Sequence, residues 1–249
     1  MRAYEMMVRL YPPDHPRDEM LGVLEERHRP WHREVPALLL GALRARTGGG
    51  HPATLRWLYA ARAAALMLLV AGAVAPVQDL RYGVVLRSGL MDATWVCAGL
   101  AALAVVAGFR LVAFAFAASA LVLAGTDLTS IPAIACYTVA AVLLLLPGPR
   151  LPVRNPLPVL LALAWSAGYP LPEGVQLALI VALALWTVVD ERVLLAAGLA
   201  LAAGLITAAL EVAEVSDTRG LLILAAWHVG LPAVLVAVAG TLTRRRAQV

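Results

Sequence analysis

Inside a largely apolar chain, the side chains with chemistry to offer are few: Glu211, Glu214, His228 and Arg62. An ionisable group within a membrane helix costs about 2.5 to 3.5 kcal/mol on insertion scales, so each needs a reason to be there. Glu211 and Glu214 are three residues apart, on neighbouring positions of one helix face, and His228 follows after a short turn at Ser216 to Gly220. Two helices joined so tightly run antiparallel, and Glu211 and His228 are expected at similar depth. That pairing would suit a proton relay, or a polar lining for a cation or amine, because imidazole titrates near neutral pH. The plainer alternative keeps the glutamates in the headgroup layer and lets His228 bond to a backbone carbonyl. Arg62 interrupts an Ala-rich run five residues after Trp57. It could pair with an acid, but a long Arg near a span end is expected to snorkel to the interface.

Other chemistries are excluded by residue type. All 20 basic residues are Arg and none is Lys. A Walker-type phosphate loop, a kinase strand lysine and Schiff-base chemistry are therefore absent. Cys97 and Cys136 lie in separate apolar runs, outside any CxxC or Cys/His cluster, so a disulfide scaffold or zinc ribbon is not expected. Contact between them is feasible, although buried thiols usually act as small apolar residues. His28 and His32 have i, i+4 spacing, yet Pro30 stands between them and no third ligand or HExxH pattern follows. No serine occupies a G-x-S-x-G elbow; Ser166 comes nearest and has no base beside it. The sequence thus predicts no enzyme, no metal and no cofactor.

The elements that would position these residues follow from composition. Of 249 residues, 61% are hydrophobic and 14% charged, and the mean hydropathy is +0.81. Soluble domains carry about 45–50% apolar and about 25% charged residues, so the bilayer must be the solvent for most of the chain. Runs long enough to enter it are Trp57 to Ala75, Asp92 to Gly108, Leu111 to Gly125, Ile131 to Leu146, Leu157 to Leu171, Val175 to Val189, Val193 to Val212 and Leu221 to Leu242. The expected fold is an all-α transmembrane bundle of about eight spans. Trp57, Trp95, Trp165, Tyr169 and Trp186 fall near span ends, where amphipathic rings prefer the headgroup layer. Ala200, Gly204 and Ala208 recur every four residues and would let helices approach closely. No strong repeat suggests an inverted-symmetry transporter.

Counted in alternate loops, 16 Arg fall on the side of the N-terminus and three, Arg81, Arg87 and Arg219, on the other. The bias of Arg toward the cytoplasm then predicts a plasma-membrane protein with both termini inside. The net charge of +4 is spread among short loops, which fits membrane orientation better than nucleic-acid binding.

Residues 1 to 56 carry nine Arg and seven acidic residues and lack the apolar core of a cleavable signal. Residues 1–46 read as a cytoplasmic segment of short amphipathic helices: Glu5 to Leu10, Asp14 to His28 and Arg33 to Arg46. Helices this small must pack on each other, on the membrane surface or on a partner. Residues 47–56, with Gly48-Gly49-Gly50, form the joint to a membrane domain over 57–249. Arg9-Leu10-Tyr11-Pro12, followed by Arg17-Asp18-Glu19-Met20-Leu21, resembles the opening of multi-pass membrane proteins of high-GC Gram-positive bacteria. There a Leu-Tyr-Pro step leads through an Arg-rich stretch to Glu-Met at a helix head. Here the Arg-Tyr-Gly that commonly precedes Glu-Met is missing and the spacing from Pro12 is shorter. The segment is similar to the cytoplasmic helical prefix of some permeases and to membrane partners encoded beside PadR-type regulators. The resemblance implies an interaction module, and Leu10, Tyr11, Arg17, Met20 and Leu24 are the residues expected to face a cytoplasmic protein such as a separate ATPase or regulator. The expected function is an accessory, regulatory or permease-like component of a transport or stress-response system. A self-sufficient secondary transporter using Glu211 and His228 is the alternative. The other partners expected are the lipid bilayer and, compatibly, further copies of the chain.

Overall fold

The computed structural model describes residues 6–11, 19–22, 35–39, 41–42, 53–81, 88–127, 130–153, 155, 157–166, 191–211 and 218–247. Among these the regular structure is helical, with no strand. The chain divides into two compact units, Met1–Pro52 with Ile180–Asp190 and Ala53–Leu179 with Glu191–Val249.

In the first unit Tyr11 is buried, and its hydroxyl donates to the Leu38 carbonyl at 3.1 Å. A Cβ on Gly41 would collide with that hydroxyl, so the ring needs the glycine beside it. Tyr11 therefore does not face a partner as expected; its ring fills the contact between the first and third helical stretches. Burial pushes its phenol above the ordinary value. Leu10 is exposed and Met20 half-buried, whereas Arg17 and Leu24 lie outside the described residues.

The second unit holds α1 (Ala53–Arg81), α2 (Gly89–Ala107), α3 (Arg110–Asp127), α4 (Ile131–Leu145), α5 (Leu157–Ser166), α6 (Glu191–Leu201) and α7 (Gly204–Glu211). Then come α8 (Thr218–Ala225), a π-helical turn over Ala226–Gly230 and α9 (Leu231–Ala247). The hub is α1, which packs against α2, α4, α5 and α6. Among the described residues three helices are long and apolar enough to cross a membrane: Leu55–Val77, Gly89–Ala107 and Thr218–Thr241. Burial of their most apolar stretches falls from 67% through 33% to 6%, so the first is core and the last almost wholly outward-facing. Arg110–Thr126 and Ile131–Leu145 are shorter apolar helices, and Arg192–Ile206 is a shorter apolar stretch that runs across the junction of α6 and α7.

Small residues set the spacing. Ala113, Ala117, Ala120 and Ala124 make a buried stripe on α3, and such stripes let backbones approach closely. Gly72 serves the α1–α4 crossing, where a Cβ would stand 2.8 Å from the Tyr137 ring. Helix ends carry local signals. Ser88 caps α2 by accepting from the Met91 N–H at 3.1 Å, which moves the start ahead of the expected Asp92 and leaves that carboxylate in the first turn. At the other end Gly108 adopts φ 82°, with Gly108 N–H bonded to Val105 O at 3.0 Å and Phe109 N–H to Ala104 O at 2.8 Å. This is a Schellman closure, and it reverses the chain directly into α3.

Beyond the earlier start of α2, three expected spans differ from the structure. The first continues through Pro76 to Arg81 instead of stopping at Ala75; proline is tolerated inside membrane helices where packing neighbours compensate. The run Val193 to Val212 breaks at Ala202–Ala203, where Ala203, Leu205 and Ile206 each donate to the carbonyl three residues back. The run Leu221 to Leu242 contains the π turn, which ends just ahead of Pro232. A proline ring clashes with the carbonyl four residues earlier, here that of His228, and the wider turn relieves it. Leu157 to Leu171 is helical to Ser166, and its remainder, like Val175 to Val189, lies outside the described residues.

Candidate functional site

Charged side chains gather at one end of the second unit. The start of α1, the α2–α3 turn, the segment after α4 and the start of α6 meet there. Gly108 abuts Pro152, Gly148 abuts Leu58, and Val153 is buried beneath. On this frame Arg62 Nη2 donates to the Pro149 carbonyl at 3.4 Å and Arg110 Nη1 to the Leu146 carbonyl at 2.9 Å. The Arg150 guanidinium lies 4.6 Å from the Phe109 ring centre and that of Arg192 4.2 Å from Tyr59. Arg110 and Arg62 thus act on carbonyls just past the end of α4, where cations also complement the helix dipole.

Arg62 does not snorkel. It is only 1% exposed, and among the described residues its Nε and Nη1 find no hydrogen-bond partner. The expectation failed because the surrounding positions, Ala60, Ala61, Ala63 and Ala64, are core alanines of the hub helix, and the tail reaches a loop 87 residues away in sequence instead of open headgroups. An open groove of about 280 Å³ lies beside it, lined by the first turn of α3 (Arg110, Leu111, Val112) and by Gly148, Pro149 and Arg150.

The second region surrounds His228. The half-buried imidazole sits on the π turn against Gly204, where a Cβ would stand 2.7 Å from its Cδ2. Gly198 likewise admits Val236 and Leu235, so α6–α7 and α8–α9 run antiparallel. Within this register the residue facing His228 is Gly204, not Glu211. Glu211 ends α7 seven residues further on, an offset of about 10 Å along the axis. Its side chain and all of Glu214 lie outside the described residues, as do His28 and His32. What lies at the depth of His228 is instead the break between α6 and α7, which the uniform alanine composition hid.

Cys97 and Cys136 are half-buried free thiols packed on the core. Among the described residues no three His, Cys, Asp or Glu side chains are grouped to hold a metal ion. The pairs at the Arg-bearing end were missed from sequence, although Phe109-Arg110 after a glycine and Pro147-Gly148-Pro149-Arg150 were signals of ordered turns. Comparison with family models, curated proteins and solved structures gives no match.

Proposed function

We propose that the chain is a multi-pass plasma-membrane protein of about eight spans with both termini cytoplasmic, acting as an accessory, regulatory or permease-like component of a transport or stress-response system. The observation that carries this reading is the distribution of Arg over the bundle. Arg62, Arg110, Arg150 and Arg192 stand at one end, and the antiparallel register of α6 and α9 sends Arg244, Arg245 and Arg246 there too. At the opposite ends of helices stand Arg81 and Arg219. Such a bias marks the cytoplasmic face. The 15-residue α4 covers only about 22 Å of a hydrocarbon layer about 30 Å thick. It packs beside α1 and α3 and would cross in thinned bilayer or with its flanks submerged.

The N-terminal segment is then a cytoplasmic module that docks a soluble partner through surface such as Leu10 and Met20. Co-purification from membranes tests this: a soluble subunit should be retained by the full chain and lost on deleting residues 1–46. Retention after deletion, or no soluble subunit at all, would contradict it.

A secondary carrier is the second reading, favoured by the helix break and the π turn that meet at His228. Interrupted membrane helices line substrate sites in carriers. It predicts uptake into vesicles that survives removal of residues 1–46 and drops with His228→Ala and with Glu211→Gln. Activity unchanged by both variants would remove it.

A further inference from the structure

We propose that the groove at the Arg-bearing end binds a phosphate-bearing anion, held by Arg110 and Arg150 and drawn in by the buried charge of Arg62. Three observations converge. First, among the described residues none of the three guanidiniums has a carboxylate partner: Arg62 and Arg110 donate only to carbonyls, and Arg150 rests on a ring. Second, Arg62 is a nearly fully buried cation with two unmatched nitrogens, directed at Pro149, which forms part of the groove wall. A buried charge left uncompensated is unfavourable, and Arg110 brings a second positive charge to the same loop. Arg62 does not itself line the groove, so an anion there would pair directly with Arg110 and Arg150 and would meet the Arg62 charge only across the Pro149 wall. Third, Arg110, Leu111 and Val112 form the first turn of an 18-residue helix, whose leading N–H groups have no intrahelical acceptor and whose dipole favours negative charge.

The chemistry required is tetrahedral and multiply charged, because guanidinium forks and backbone N–H groups match phosphate oxygens. Two sources share it: the headgroup of an anionic phospholipid and free phosphate. The site goes beyond the proposed function, and only the lipid source depends on the membrane orientation.

Full-length protein in detergent is titrated with inorganic phosphate by calorimetry. It is also placed in phosphatidylcholine nanodiscs with and without phosphatidylglycerol, and the lipid retained on re-extraction is measured by native mass spectrometry. Arg110→Gln and Arg150→Gln should each weaken the bound species roughly tenfold, the loss of about one charge-assisted hydrogen bond, while Arg219→Gln at the opposite end should not. Retained phosphatidylglycerol that falls with the two groove variants assigns the lipid source. A phosphate titration that falls with them, without lipid retention, assigns free phosphate. Among the described residues Arg150 makes only a ring contact, so Arg150→Gln remains informative if Arg110→Gln fails to fold. No binding in either arm, or equal loss with Arg219→Gln, would overturn the site. Reporters placing this end outside the cell would refute the orientation and leave the phosphate titration standing.

Discussion

Arg62 carries its charge into a shell of alanine, so what it does to stability and what it does to binding should separate. Replacing a buried, incompletely bonded charge by an apolar side chain of similar length is often neutral or stabilising. Arg62→Met should therefore leave the unfolding temperature in detergent unchanged or higher, yet reduce anion binding; a large fall in unfolding temperature would make Arg62 a structural bolt through Pro149. Glycines give contrasting signs. Gly108→Ala should cost about 1–2 kcal/mol, since φ 82° penalises a side chain and the new Cβ would lie 3.2 Å from the Pro152 nitrogen. Gly99→Ala, in the interior of α2 with nothing within 4 Å, should be neutral or stabilising by up to about 1 kcal/mol. Tyr11 adds a pH dependence. Its phenol is raised by burial, so the contact with Leu38 is fully present below the ordinary value of about 10 and is lost as pH climbs through the higher folded value. The protection of amides around Leu38, taken relative to their base-catalysed intrinsic exchange rate, should fall only in strongly alkaline solution, and Tyr11→Phe should abolish that step.

At the scale of elements, the hub and the outward helix should respond oppositely to the same kind of change. Ala64 is wholly buried in α1, and Ala64→Leu overpacks it at a cost of about 1–3 kcal/mol. Val234 on α9 is exposed, and Val234→Leu should leave thermal stability within about 0.5 kcal/mol. Equal responses would mean that α9 is buried against something in the membrane. The C-terminal end of α2 and the start of α4 were legible because local chemistry sets them: Gly108 closes the one, and Pro132 in the first turn opens the other. The break at Ala202–Ala203 was not, since alanine on both sides gives no signal at that spacing. The π turn had its signal in Pro232, whose effect falls on His228 one turn earlier. Arg62 was readable as an anomaly, but its acceptor was not, because only tertiary packing brings Pro149 to it.

For the molecule as a whole, the apolar composition and the sorting of Arg are two faces of one constraint. In a bundle whose helices alternate in direction, the connections with Arg110, Arg150, Arg154 and Arg192 would share one end with the Arg-rich N- and C-terminal segments, against Arg81, Arg87 and Arg219 at the other. The bundle packs accordingly, with the start of α1, the α2–α3 turn and the start of α6 joined around Pro147 to Val153. The most direct measurement is of sidedness, with a phosphatase fusion, active only outside, and a fluorescent-protein fusion, bright only inside, each placed after Arg87 and after Val249. Phosphatase activity at the first position and fluorescence at the second are expected. Both positions reporting the same side, or a chain that stays in the aqueous fraction without detergent, would contradict a membrane bundle with its arginines inward.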